Sequence, residues 1–172
     1  MHQTNFFLKR ISTKTKIGTL HLFASDRGLH AICVASRIDE VKKRLTQRTN
    51  GFKATAIAKG HLRKAKENLD KYFSGDTKAL EKIKVFTLGT EFQTKVWSQL
   101  RAVPVGKTVT YSQVAKKIGK PKAYRAVAMA CRDNLICLSI PCHRVVRGDG
   151  SLGGYNAGGV SKKKLLLKHE GV

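Results

Sequence analysis

The chain has 172 residues, enough for one domain or two small ones, and 41% hydrophobic content is ordinary for a folded protein with a core. Its 34 Lys and Arg against 11 Asp and Glu leave a net charge of +23, carried by both halves (19 basic and 7 acidic groups in residues 1–87, 15 and 4 in 88–172), so nucleic acid is the expected partner. With no run of 18 apolar residues and no signal-peptide apolar region in the first ten, neither a membrane span nor a secretory leader is expected; the expected location is the cytoplasm, at the nucleoid, or the nucleus of a eukaryote.

Asn5 to Arg10, Ile17 to Ala24 and Leu29 to Ala35 read as short strands. Lys16-Ile17-Gly18 and Asp26-Arg27-Gly28 read as the turns of an antiparallel meander. Ile38 to Arg48 and His61 to Phe73 follow with helical patterning; Leu62, Ala65, Leu69, Tyr72 and Phe73 form one apolar stripe in the second. Lys82 to Thr87 is a weaker strand candidate. Residues 79–89 are the expected boundary between an N-terminal domain, 1–87, and a C-terminal domain, 88–172.

The second half reads as helices. Thr90-x-x-Gln93 is a capping box that opens a helix carrying Phe92, Val96, Trp97 and Leu100, and Val103-Pro104-Val105-Gly106 ends it. A second box, Thr110-x-x-Gln113, opens a short helix ending near Gly119. After Lys120-Pro121 a third helix runs from Lys122 to about Cys131. Two short helices joined by a tight turn are the pattern of a helix-turn-helix, and Lys116, Lys117, Lys120 and Lys122 make the turn basic. In the third helix, Val127 and Met129 are expected in the core. Ala126 and Ala130 are small enough for close approach to a DNA groove, with Arg125 at the head of the helix.

Ile136 to Ile140 reads as a short buried strand stopped by Pro141, which has no backbone donor. Cys142 would then sit at the rigid end of a core element, followed by His143 and Arg144 as a base and a positive charge that could make it a thiolate. A lone Cys-His pair is ordinarily a packed cysteine beside a satisfied histidine; the surrounding motifs decide otherwise. The other cysteines, Cys33, Cys131 and Cys137, form no C-x-x-C pair, and disulfides are not expected inside a cell. A glycine-rich loop, Gly148 to Gly159, lacks the Gly-Lys-Ser/Thr of a phosphate loop, and Val160 to His169 is a basic helix closed by Glu170-Gly171.

Taken in order, Thr110-Tyr111, Pro121-Lys122-Ala123-x-Arg125-Ala126-Val127, Asn134, Ile140-Pro141-Cys142-His143-Arg144-Val145, Gly154-Tyr155 and Leu166 to Gly171 resemble the O6-alkylguanine-DNA alkyltransferases. The match covers residues 88–172; the N-terminal third matches only through Ile17-Gly18-Thr19-Leu20 and Gly28-Leu29. The resemblance implies an α/β, ribonuclease-H-like N-terminal lobe of antiparallel sheet plus helices, beside a mainly α, winged helix-turn-helix C-terminal lobe. It implies a monomer that binds double-stranded DNA carrying O6-alkylguanine. The damaged base is flipped out, and its alkyl group passes to the protein in a single-turnover, direct-reversal repair, with O4-alkylthymine as a second substrate.

By the same resemblance Cys142 is the nucleophile, His143 keeps it ionised through a water, and Glu170 holds the imidazole. Tyr111 donates to the leaving base and Asn134 braces the site. Arg125 fills the gap left by the flipped nucleotide, and Tyr124, Ala126, Ala130, Lys122, Thr110 and Ser112 lie on DNA. Tyr155, Asn156, Pro141 and Cys131 wall the pocket. No cofactor is expected. Some relatives bind zinc in the N-terminal lobe, but here His30 has Ser25 where a Cys might sit, so no metal is expected. Two rivals belong to other classes. A non-enzymatic DNA-binding regulator or damage sensor is opposed by Cys142, which such sensors replace; a Cys-His hydrolase would leave the charge and the helix-turn-helix unexplained.

Overall fold

A computed structural model describes residues 8–172, which divide into two units, residues 8–88 and Gly89–Val172. In the first, β1 (Lys9–Thr15), β2 (Gly18–Ser25) and β3 (Gly28–Val34) form an antiparallel sheet in the order β1-β2-β3. Two-residue turns set the register, pairing Thr15 with Gly18 and Ser25 with Gly28. The sequence places the first strand too early. Of the span Asn5 to Arg10, residues 5–7 lie outside the described residues, and the observed strand continues to Thr15. As an edge strand, β1 turns Lys9, Arg10, Ser12 and Lys14 to solvent and so carries little apolar alternation.

α1 (Ile38–Thr46) packs on β3, and α2 (Ala56–Phe73) packs across all three strands, burying Ala58, Leu62, Ala65, Leu69, Tyr72 and Phe73. α2 begins five residues before the expected His61. Thr55 caps it by accepting from Ile57 N, and the Asp26 carboxylate accepts from Thr55 N at 2.8 Å and Ala58 N at 3.1 Å. That second cap comes from the β2–β3 turn, so no local pattern announces it. The candidate strand at 82–87 is a single parallel bridge, Val85 to Leu29, with Phe86 N donating to Leu29 O at 2.8 Å. Gly28 permits this approach: its φ is +144°, and a Cβ there would lie 3.1 Å from the Lys84 carbonyl oxygen.

The second unit contains α3 (Glu91–Arg101), β4 (Val109–Thr110), α4 (Tyr111–Lys117), α5 (Tyr124–Arg132), β5 (Val145–Val146) and α6 (Gly159–His169). Both capping boxes form as the sequence predicts, at Thr90/Gln93 and Thr110/Gln113. α3, α4 and α5 pack on one another, and the Trp97 indole donates to Ala130 O at 2.9 Å. β4 and β5 pair in parallel, Val109 with Val145 and Thr110 with Val146, which ties the start of α4 to the chain just after Cys142. Among the described residues no helix is long and apolar enough to cross a membrane.

Ile136 to Ile140 is not a strand. It is a buried turn in which Ile140 N donates to Ile136 O at 2.9 Å, and Cys137 and Ile140 form an isolated bridge. Leu138 has φ +73° and is the one non-glycine residue with positive φ among those described. A short apolar run is compatible with any buried conformation, so periodicity alone does not separate a strand from this turn. The left-handed Leu138 is a sparsely populated conformation of the kind that clusters at functional sites.

Candidate functional site

Cys142 opens a one-turn 3-10 helix, Cys142–Arg144, that leads into β5. Its side chain is buried, yet it lines a cavity of about 300 Å³, together with Tyr111, Cys131, Met129, Tyr155 and Asn156. The loop residues Gly153 and Gly154 also line it, as do Arg147 and Arg132. Gly153 (φ +64°) could not be replaced without crowding: a Cβ would lie 3.1 Å from the Tyr111 hydroxyl.

The surroundings hold the Cys142 thiol below the ordinary thiol range despite its burial. The hydrogen bond from the Cys137 thiol is the largest contribution; Asn134 Nδ2 donates to Sγ at 3.3 Å; the Lys163 charge adds to both. Asn134 is itself fully engaged, donating to Ile140 O at 2.9 Å and accepting from Ile136 N at 2.9 Å. It therefore touches the sulfur as well as bracing the turn.

His143 follows Cys142 but points its ring to Glu170. Its Nε2 lies 2.9 Å from Glu170 Oε1. Burial pushes Glu170 up, but hydrogen bonds from His143 and Arg144 outweigh it and hold the carboxyl at about 2. An ionised carboxylate only accepts, so the His143 proton sits on Nε2 and Nδ1 keeps a lone pair. That Nδ1 is buried without a hydrogen-bond partner. Burial keeps the ring neutral by lowering its pKa against the pull of Glu170. The Tyr155 ring stands edge-on to it at 6.2 Å.

Arg144 does not serve as the cation beside the thiol. Its Nε and Nη2 donate to Glu170 at 2.8 and 2.9 Å, and its Nη1 donates to Val103 O at 2.6 Å. The positive charge comes instead from Lys163, fully buried on α6, whose Nζ donates to Val145 O at 2.5 Å and to Leu152 O. Read as part of a basic helix, Lys163 is missed. Its signal is spacing: it lies three and four residues before the buried Leu166 and Leu167, on the same helix face.

The remaining residues divide. Burial pushes the Tyr111 phenol up to about 12, so it stays protonated. Asn156 lines the cavity with its amide tied to the Arg132 carbonyl. Pro141 is buried and does not line the cavity. On α5 the core face is Val127, Ala130 and Cys131, an i, i+3, i+4 stripe, so Ala130 is buried rather than open to a partner. Met129, expected in the core, is 46% exposed, and Ala126 is also exposed. Arg125 and Tyr124 project from the first turn, the guanidinium 5.7 Å from the ring centre. Lys122 and Ser112 are exposed, while Thr110 is half-buried, its hydroxyl accepting from Gln113 N.

Residues 91–172 match the model of the 6-O-methylguanine DNA methyltransferase DNA-binding domain, and residues 8–86 match that of the same proteins' ribonuclease-like domain. A methylated-DNA–protein-cysteine methyltransferase of Methanosarcina acetivorans is 47% identical over 110 residues, 64% of this chain and 69% of that protein. The bifunctional transcriptional activator/DNA repair enzyme Ada of Escherichia coli is 41% identical over 159 residues; the alignment covers 90% of this chain but only 43% of Ada. The solved structure of Mycobacterium tuberculosis OGT in complex with DNA aligns with a TM-score of 0.73 at 30% identity, covering 92% of this chain and 90% of that one.

Proposed function

Because the chain belongs to the 6-O-methylguanine DNA methyltransferase family, we propose that it repairs DNA by moving the methyl group of O6-methylguanine onto Cys142, once per molecule. The observation that carries this reading is a buried sulfur, biased to its thiolate, at the wall of a cavity that a protonated phenol also lines.

The reaction is a displacement at an sp³ carbon, which needs a soft nucleophile and a stabilised leaving group. The thiol proton passes through a water to the free lone pair on His143 Nδ1, whose ring Glu170 and Arg144 hold in register. The thiolate attacks the methyl carbon, the C–S bond forms, and the C–O electron pair stays on guanine. Tyr111 donates a hydrogen bond to the departing base, which regains a proton from solvent. The thioether that remains has no ready route to hydrolysis, so Cys142 is consumed.

A base in a duplex cannot reach a buried sulfur. We extend the proposal to a flipped nucleotide, at an unstacking cost of a few kcal/mol. α4 and α5 act as a helix-turn-helix, Ala126 and Tyr124 lie along the groove, and Arg125 fills the vacated place. Lys122, Ser112 and the start of α4 at Thr110 meet phosphate. O4-alkylthymine presents the same reacting carbon–oxygen bond and is included as a substrate. The test is intact and peptide mass analysis after mixing with an O6-methylguanine duplex. One methyl on the Cys142 peptide is expected; repeated turnover, or a methyl on Cys33, Cys131 or Cys137, overturns the reading.

A further inference from the structure

We infer that Arg147 binds a phosphate of the nucleotide whose base enters the cavity, a contact that positions the methyl group at the Cys142 sulfur. This rests on reading Cys142 as the methyl acceptor. Of the residues that line the cavity, Cys142, Cys131 and Tyr155 are buried, whereas Arg147 and Arg132 are exposed. A charged phosphate stays in water or on a cation, because burying it unpaired is costly. A base that brings its methyl carbon to the buried sulfur therefore leaves its sugar and phosphates toward the exposed lining residues.

The backbone of Arg147 is fixed. The residue directly follows β5; its N donates to Ser151 O at 2.8 Å, and its carbonyl accepts from Gly150 N at 3.0 Å. A Cβ on Gly153 would lie 3.7 Å from Arg147 Cγ and 3.1 Å from the Tyr111 hydroxyl, so the arginine stem and the phenol meet over one glycine. Burial raises the Tyr111 phenol and lowers the Lys163 amine, and the Arg147 charge lowers both. Arg147 rather than Arg132 is assigned because it stands beside Tyr111.

The four acidic side chains of the unit are engaged elsewhere. Glu91 pairs with Lys95 at 2.7 Å, Asp133 accepts from Gln93 Nε2 at 3.1 Å, Asp149 accepts from Ser151 N at 2.9 Å, and His143 and Arg144 hold Glu170. Among the described residues no carboxylate forms an ion pair with Arg147. A guanidinium fork without a carboxylate matches two oxygens of a phosphodiester. Such contacts fix the position of the nucleic acid without reading its bases. A neutral guanine offers no charge to pair, so the phosphate is assigned rather than the base.

The test compares the full chain with Arg147→Gln, which keeps the stem over Gly153 and removes the charge. The rate of Cys142 methylation is read with O6-methylguanine as the free base, in a single-stranded oligonucleotide and in a duplex. Arg147→Gln should react roughly tenfold more slowly with both oligonucleotides and at the wild-type rate with the free base. Arg147→Lys keeps the charge but not the fork and should be about threefold slower on the oligonucleotides. The single strand separates this role from that of Arg125, because no base has to be extruded from it. Equal slowing on all three substrates, or no slowing on either oligonucleotide, overturns the proposal. So does equal slowing by Arg63→Gln, an exposed charge on α2, which would make the effect one of total charge. If the wild type takes up no methyl from any substrate, the repair reading fails and duplex binding decides this one. Arg147→Gln should then lower the slope of log affinity against log salt for the O6-methylguanine duplex by about one, and an unchanged slope overturns the phosphate contact.

Discussion

Each unit of the molecule buries a histidine that burial keeps neutral, and the two differ at one nitrogen. In the N-terminal unit, His30 Nδ1 donates to Phe86 O at 3.1 Å, and Nε2 accepts from Ser25 at 2.7 Å. Ser25 Oγ in turn accepts from Arg27 N at 3.1 Å, and Arg27 lies over the Phe52 and Phe86 rings. Both ring nitrogens of His30 are used, as a structural residue requires. In the C-terminal unit, His143 has Nε2 fixed by Glu170 and Nδ1 left open. An unsatisfied buried lone pair is costly, and the water of the proposed reaction would satisfy it.

The largest effect that separates the two units is on methyl uptake. Cys142→Ser should abolish it in the mass assay while the protein stays folded, whereas Cys33→Ser, in the N-terminal sheet, should leave it complete. A methylated Cys142→Ser protein would break the contrast.

Removing one partner from each polar cluster should show the next largest difference. Glu170→Gln leaves the buried Arg144 guanidinium short of its counter-charge and should cost about 3–5 kcal/mol in urea unfolding. Ser25→Ala leaves one neutral lone pair on His30 and should cost about 1–3 kcal/mol. Similar losses would mean that the C-terminal cluster is no more strongly charged than the N-terminal one.

The histidines themselves sharpen the comparison. His143→Gln should slow Cys142 methylation on the order of 100-fold, the usual worth of a positioned base. His30→Gln should lower stability and leave the rate alone. Equal slowing by both would deny His143 a chemical role.

Arg125→Ala should slow reaction with duplex roughly tenfold, about 1.4 kcal/mol of the extrusion cost, and leave reaction with the free alkylated base unchanged. Equal slowing on both substrates would move Arg125 from extrusion to support of the pocket.

Acid should weaken the units over different ranges. Unfolded His30 takes up a proton near 6.5, while burial delays it in the folded chain to about 4. Its contribution is complete above pH 6.5 and lost as pH falls toward 4. Glu170 ionises near 4.5 when unfolded and about 2 when folded, so its contribution is complete above 4.5 and lost as pH falls toward 2. Hydrogen exchange resolved by unit between pH 7 and 3 should show both losses, and Ser25→Ala should alter the N-terminal one alone.

The sequence by itself determined what local chemistry can specify. The capping boxes, the β2–β3 turn, the apolar stripe of α2 and the ordered motifs around Cys142 are all written within a few residues, because caps, turns and periodicity act over one or two turns of chain. Tertiary structure decided whatever depends on partners distant in sequence. The Asp26 cap on α2, the Glu170 claim on Arg144, the buried Lys163 amine and the exposure of Met129 over Ala130 all follow from which face meets which neighbour. The same holds for the turn at Ile136 to Ile140. Its composition suits a strand, and only closure around Asn134 bends it through Leu138 and lays the Cys137 thiol on the Asn134 carbonyl.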